Sequence, residues 1–539
     1  MTGLGALLLV QARRERIVLP IWIAGISFLC FAVASAVSAE FAGVAERTSI
    51  IVVATTSPAF LFIRGLPDGT STGAVVFFQG YAFTAVLAAL MSTFLVIRHT
   101  RADEEQGREE LITSTPIRRA TPLAASLILG MAANLVLALG VFTAFTAAGL
   151  PARGSLTAGF AVGVVGGFFL AVAAVLAQVM PSARGANGAA AGLVGAAYFV
   201  RGIGDALGTP DDGLTHVTSA WVSLLSPIGW GQRTRPFTVA DAGPLMILAT
   251  AAAVLMVGVL WLRSNRDLGV SLVPERPGRD RAAAGSTSLL GLGWRLQLPT
   301  LIGWSIFAAL LGGIAGGLGP TVSNVIGGNQ SLSQLIARLV PGSTGTIIDL
   351  FTTALLGIAG VLAAAAGIQA MLRLRAEEAE GRAELLLAAP RTKAQWLGAN
   401  VIVAAVSTVV VSVVAGVAAS AGLTVAGIGT DSPGLLVAAA AAHLPAAAVF
   451  VAATAVLFAT IPRLSIPLAW GLLAAGLVLG QFGELLRLPG WLQDVSPFRH
   501  SPAMPVEPFE PFPSLTMTGI AVLGALLAGW VVRRRDLTV

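Results

Sequence analysis

Residues 101–116 read RADEEQGREELITSTP and residues 375–390 read RAEEAEGRAELLLAAP. Aligned without gaps, 8 of 16 positions are identical at an offset of 274, and Asp103 opposite Glu377 is conservative. Other matches recur at nearly the same distance. Trp221 with Ser226-Pro227 matches Trp491 with Ser496-Pro497, Arg266-Asp267-Leu268 matches Arg535-Asp536-Leu537, and Arg16 with Leu19-Pro20 matches Arg295 with Leu298-Pro299. Four matches in order are the signature of a duplicated unit. The chain therefore reads as two fused halves, residues 1–262 and 295–539, joined by a Pro/Gly/Arg-rich linker at 263–294.

The medium around these halves follows from composition. Of 539 residues, 55% are hydrophobic and 11% charged, with a mean hydropathy of +0.83, whereas a soluble domain carries about 25% charged residues. That balance excludes a soluble or disordered chain and predicts an all-α polytopic membrane protein. Twelve apolar spans are long enough to cross ~30 Å of hydrocarbon: 17–38, 73–97, 121–149, 156–180, 185–203, 242–262, 298–319, 347–372, 395–422, 434–461, 464–483 and 515–532. The fifth is short and Gly/Ala-rich, and the eleventh contains Pro467. The first, 22 residues long, exceeds the roughly 7–15 apolar residues of a signal peptide and reads as a retained helix. With both termini inside, 24 of the 33 basic residues fall in cytoplasmic segments, as the positive-inside rule requires. Both halves then start inside, so the repeat is parallel.

Chemistry-bearing residues are scarce. Cys30 is the one cysteine and there are four histidines, which leaves no disulfide framework and no CxxC metal site. Lys393 is the one lysine, and Thr392 precedes it. A P-loop needs Gly-Lys-Ser/Thr to reach the phosphates, so the chain has no Walker A site of its own. The excess of basic residues reads as cytoplasmic loops and not as nucleic-acid binding.

The two charge runs each follow an apolar span and turn into the next at Pro116 or Pro390. They predict short helices at the cytoplasmic surface, with i,i+4 pairs Arg101–Glu105, Glu104–Arg108 and Glu378–Arg382. A solvated loop helix would look similar in one copy, but it has no need of the same Glu-x-x-Gly-Arg-x-Glu arrangement twice. Gly107 and Gly381 interrupt good helix formers at about 1 kcal/mol each. Either another surface approaches the backbone there or the chain bends on leaving the membrane.

These segments, with the closing Arg-Arg-Arg-Asp-Leu, resemble the ABC-2-type permeases that export polyketide antibiotics, among them the tetronasin-type multidrug exporters of actinobacteria. The resemblance covers both halves. It implies a type V exporter fold, six helices per half around a central path, in the bacterial cytoplasmic membrane. It implies that the helix after the second span of each half is a coupling helix docked on a separately encoded ABC ATPase, two copies of which would bind. ATP and Mg would sit in that partner, with no cofactor in this chain. By the same resemblance Glu104, Gly107, Arg108 and Glu110, and Glu378, Gly381, Arg382 and Glu384, would form the contact. Glu109 and Glu105 stand where the second copy has Ala383 and Ala379, so the copies differ.

Ionisable groups at membrane depth mark ion-coupled carriers. Glu40, Arg201, Asp349, His443 and Glu484 fall near outer ends, while the deep polar residues Gln79, Asn134, Gln178, Gln369 and Asn400 are neutral and suited to joining helices. A hydrophobic or amphiphilic small molecule is the expected cargo. By resemblance Phe77, Phe78, Tyr81, Tyr198, Phe199, Phe351 and Trp470 would line the midline path, although each aromatic also suits packing or lipid. Leu214–Leu225 and Ser331–Leu339 are candidates for short helices at the outer interface, with plain surface loops the favoured reading. A proton-coupled secondary multidrug transporter is the alternative, favoured by the six-plus-six duplication and opposed by the poverty of deep charge. A membrane enzyme ranks last, since no paired deep carboxylates or activated nucleophile stand out.

Overall fold

The computed structural model describes residues 3–56, 58–265, 273, 285, 287–317, 347–427, 433–481, 489–506 and 508–536. The chain divides into two compact units, Met1–Gly278 and Arg279–Val539. Of the predicted linker, residues 266–272, 274–284 and 286 lie outside the described residues, as does Ser331–Leu339; Glu484 does too.

In the first unit, α1 (Leu4–Glu15) is an amphipathic helix ahead of the first span, α2 (Val18–Glu40). Then come α3 (Val44–Thr56), α4 (Pro58–Arg64), α5 (Thr72–Arg98), α6 (Arg101–Glu105) and α7 (Arg108–Thr113). The unit continues through α8 (Thr121–Ala147), α9 (Ala152–Val179) and α10 (Ala183–Ala206). A hairpin of β1 (Thr209–Pro210) and β2 (Val217–Thr218), a 3₁₀ turn (Trp221–Leu225) and α11 (Pro227–Gln232) lead into α12 (Gly243–Asn265). The second unit comprises α13 (Leu289–Gly317), α14 (Ile347–Ala379), α15 (Arg382–Leu387), α16 (Lys393–Val425), α17 (Pro433–Ala441), α18 (Leu444–Thr460), α19 (Ser465–Gln481), α20 (Gly490–Gln493) and α21 (Pro511–Arg534).

Eleven of the twelve predicted spans each fall on one helix, and the tenth, 434–461, is covered by two, α17 and α18. Among the described residues ten helices are long and apolar enough to cross a membrane, so the chain is an all-α multi-pass membrane protein. The other two are the Gly/Ala-rich fifth span, now the 24-residue α10, and the Pro467 span, now the 17-residue α19. Leu214–Leu225 is not a helix throughout: it holds β2 and the 3₁₀ turn. The β-branched Thr215, Val217 and Thr218 and the turn residues Asp211 to Gly213 favour a hairpin there.

Helix ends carry local signals. Ser71 Oγ accepts from the Ala74 amide to start α5, and Ser182 Oγ from Gly185 to start α10. Thr392 and Gln395 form a reciprocal capping box on α16. Small residues set the packing. In α9, a methyl on Gly163 would lie 2.8 Å from the Asn134 carbonyl of α8, and one on Gly166 would fall on the Asn134 side chain. Asn134 Nδ2 donates to Ser92 Oγ of α5 at 2.9 Å, so one carboxamide joins three helices where the backbones come close. Gln369 serves the same end in the second unit, accepting from Trp304 Nε1 at 2.6 Å.

Candidate functional site

Each unit presents one short charged helix after its second span. In the first, α6 ends at Glu105, Gly107 takes φ +68°, and α7 starts afresh. In the second, α14 runs to Ala379, Gly381 takes φ +72°, and α15 follows. Nothing lies within 4 Å of a methyl placed on either glycine. Within each unit the glycine therefore serves a left-handed bend, which L-residues resist, and not a close backbone approach. None of the predicted i,i+4 pairs forms: helical spacing ends at the glycine, which undoes Glu104–Arg108 and Glu378–Arg382, while Glu105, ahead of the bend, turns to the Ala183 amide. Arg101 pairs instead with Glu104 (3.0 Å), Arg108 with Asp103 (2.9 Å), Glu378 with Arg535, and Arg382 with Glu380.

The inner faces of these helices are fastened by buried charge. Asp103 receives Arg14 of α1 at 2.7 and 3.1 Å. Arg101 Nε donates to the Pro181 carbonyl at 3.1 Å, and Glu105 Oε1 accepts from the Ala183 amide at 2.8 Å, tying α6 to the α9–α10 turn. From the end of α12, buried Arg263 donates to Glu109 and lies 3.7 Å from Glu104. Behind these, Glu15 of α1 accepts from Arg98 at 2.9 Å and meets His99 at the same distance. Burial pushes the Glu15 carboxyl up, yet His99 and Arg98 together outweigh it and hold the group below its ordinary value.

The second unit repeats the device with different residues. Arg535, just past α21, donates to Glu378 at 2.5 Å and to the Phe458 carbonyl at 2.6 Å, with its guanidinium 4.9 Å from the Phe458 ring. Glu377 accepts from Arg373 at 3.0 Å and from Trp396 Nε1 at 3.2 Å. Trp396, at the start of α16, is fully buried. Lys393 Nζ donates to the Arg535 carbonyl at 2.5 Å. Ala383 occupies the buried position of Glu109, so the second arginine has no carboxylate there and takes Glu378.

The eight residues named for the outer contact are thus placed unequally. Glu104 and Glu378 lie on the inner face, gripped by arginines of their own unit. Gly107 and Gly381 make the bend. Arg108, Glu110, Arg382 and Glu384 are exposed. Beside them stand Leu111 and Leu385, 74% and 79% exposed, which the sequence reading passed over. Each copy therefore offers a Glu-Leu pair outward, Glu110-Leu111 and Glu384-Leu385. Arg263 and Arg535 were also missed as anchors. The signal was present in the basic residues ending the sixth and twelfth spans, Arg263 having been read only as topology and Arg535 as topology, repeat and family motif.

The aromatic set packs within its units. Phe77 stacks on Tyr81 at 4.6 Å, and Tyr81, buried like Phe78, donates to the Ile228 carbonyl at 2.8 Å. Tyr198 donates to the Ile63 carbonyl at 2.6 Å, and Phe199 meets Phe62 edge-on at 5.6 Å. Trp470 is exposed, and the side chain of Phe351 lies outside the described residues. Arg201, expected near an outer end, forms a 3.0 Å pair with Asp205, both fully buried, and also donates to the Phe62 carbonyl at 2.7 Å.

Comparison with known proteins brings these observations together. Residues 287–533 match the family described as multidrug efflux system permease Rv1217c, C-terminal domain. Over its whole length the chain is similar to the multidrug efflux system permease protein Rv1217c of Mycobacterium tuberculosis (strain ATCC 25618 / H37Rv), 34% identical across 99% of this chain and 95% of that protein.

Proposed function

Since the chain belongs to the family of the multidrug efflux system permease Rv1217c, we propose that it is the membrane subunit of an ATP-driven exporter of hydrophobic or amphiphilic compounds. Polyketide antibiotics are the substrate class that the motif resemblance favours. Two copies of a separate ABC ATPase would dock on α7 and α15 and hold the ATP and Mg. The termini would lie in the cytoplasm, in the bacterial inner membrane.

One observation carries this reading. Two matched helices each show a Glu-Leu pair to solvent, Glu110-Leu111 and Glu384-Leu385, while buried charge holds α7 at Glu109 and holds the end of α14, just ahead of α15, at Glu378. Leucines this exposed beside carboxylates suit a partner surface that is apolar and basic. A helix anchored at its inner face and bent at a glycine can pass a push from that partner into the spans on either side, α5 with α8 and α14 with α16. In this reading Arg108, Glu110, Arg382 and Glu384 touch the partner, Gly107 and Gly381 set the bend, and Glu104 and Glu378 anchor the helices. Phe77, Phe78, Tyr81, Tyr198, Phe199, Phe351 and Trp470 are the aromatics assigned to the cargo path.

The test is co-expression with a candidate ABC ATPase subunit from the same genome. Wild-type permease should co-purify with it and stimulate ATP hydrolysis. Leu111→Asp with Leu385→Asp should lose both while the permease keeps its thermal stability. If the wild type retains no ATPase, or the double variant retains it undiminished, the docking assignment falls.

A further inference from the structure

At the end of the first unit opposite its docking helix, a cavity of about 370 Å³ opens between the start of α5 and the segment from β2 to α12. Its walls combine apolar side chains, Leu66, Phe77, Trp230 and Phe237 among them, with two arginines, Arg233 and Arg235, and two carboxylates, Asp68 and Asp241. That volume and mixture are those of a small-molecule site.

Charge accounting singles out Arg233. Asp68 is committed, at 3.0 Å from His216 and 3.7 Å from Arg235, and it also receives Thr238. Asp241 accepts the Gly243 amide at 2.8 Å. Asp205, whose field reaches Arg233, already holds Arg201 and Gln232. Arg233 itself donates once, to Ser219 Oγ at 2.9 Å, and its buried Nε has no partner among the described residues. The wall is also strained: Arg235 stands at φ 44°, held by the Ala240 amide donating to its carbonyl at 2.8 Å. Such residues persist where the surroundings fix them and gather at ligand sites.

We propose that this cavity binds an anionic amphiphile, with the acidic head on Arg233 and the apolar body against Phe77, Trp230 and Phe237. A guanidinium left with spare donors in a partly apolar wall is matched by a carboxylate or phosphate ester. The site stands on this cavity alone and does not depend on the ATPase reading. Its occupant is either a transported acid or an anionic lipid of the adjoining leaflet.

The experiment uses the full chain in phosphatidylcholine nanodiscs, titrated with a terminally brominated fatty acid that quenches tryptophan. Saturable quenching should appear with the acid and not with the corresponding alcohol, and Trp230→Phe should remove it. Arg233→Gln should raise Kd about tenfold, the loss of one charge-assisted contact, while Arg233→Lys keeps most of the binding. Val239→Phe, which narrows the cavity and leaves Arg233 in place without adding a tryptophan, should weaken it and guards against misfolding of the Gln variant. In phosphatidylglycerol nanodiscs, a large loss of acid affinity identifies lipid as the resident, and unchanged affinity identifies a transported acid. Equal quenching by acid and alcohol, or indifference to both Arg233→Gln and Val239→Phe, overturns the proposal.

Discussion

Arg535 Nη2 donates to Glu378 Oε1 at 2.5 Å, joining two residues 157 positions apart, with Glu378 fully enclosed. Breaking a buried pair from one side strands a charge, whereas removing both partners relieves it. Glu378→Ala should therefore lower stability by about 3 kcal/mol, and adding Arg535→Met should recover part of that loss. Unfolding by SDS titration in detergent micelles measures both; equal or additive losses would show that the pair is not coupled.

The bend at Gly107 and Gly381 makes a different kind of demand. Each sits in the left-handed region with open space where a side chain would go. Alanine should cost about 1–2 kcal/mol through backbone strain, asparagine less, and valine more. Measured unfolding in the order Gly, Asn, Ala, Val supports the conformational account. A loss that tracked side-chain volume instead would point to a steric one.

Gly166 is a steric case. A methyl there falls on the Asn134 carboxamide, so Gly166→Ala should cost about 1–3 kcal/mol by overpacking. Asn134→Ala removes the obstacle and should partly rescue the double variant, even though it forfeits the bond to Ser92. Thermal denaturation of the three variants decides this.

Glu15 supplies a pH prediction. Its carboxyl is held below the ordinary value of about 4.3, against burial, by His99 and Arg98. A depressed folded pKa adds stability that is present above the unfolded value and lost as pH falls through the folded one. Hydrogen exchange of α1 should stay slow at neutral pH and quicken below about pH 4. Glu15→Gln should be fast already at neutral pH, with no acid transition of its own.

How far the sequence foretold this arrangement depended on whether neighbours in the chain decided it. Hydropathy located every span because crossing hydrocarbon is a property of one segment. The repeat located both charged helices, and the glycines marked their bends. The pairing partners were hidden. Glu104–Arg108 and Glu378–Arg382 follow helical arithmetic, which a single left-handed residue cancels, and Glu105 turns from Arg101 to the Ala183 amide 78 positions away. Arg263 reaches Glu109 across 154 positions, a relation no local pattern encodes, and its charge was already accounted for as a topology signal. Leu111 and Leu385 stayed invisible because one leucine in a charged run reads as the buried stripe of an amphipathic helix. Trp396 lies at the start of α16, where its indole donates to Glu377, a partner that no local pattern names.

Lys393, whose ammonium donates to the Arg535 backbone, is the one lysine in the chain. Apart from the α-amino group, amine-directed reagents have one nitrogen to find. The protein thus carries its own reporter at the spot where its final span is clasped: a fluorophore or isotopic methyl placed there senses whether the clasp is shut. Ammonium protons shared with a carbonyl exchange and acylate more slowly than free ones, so the labelling rate of Lys393 reads out, without mutation, how often Arg535 lets go.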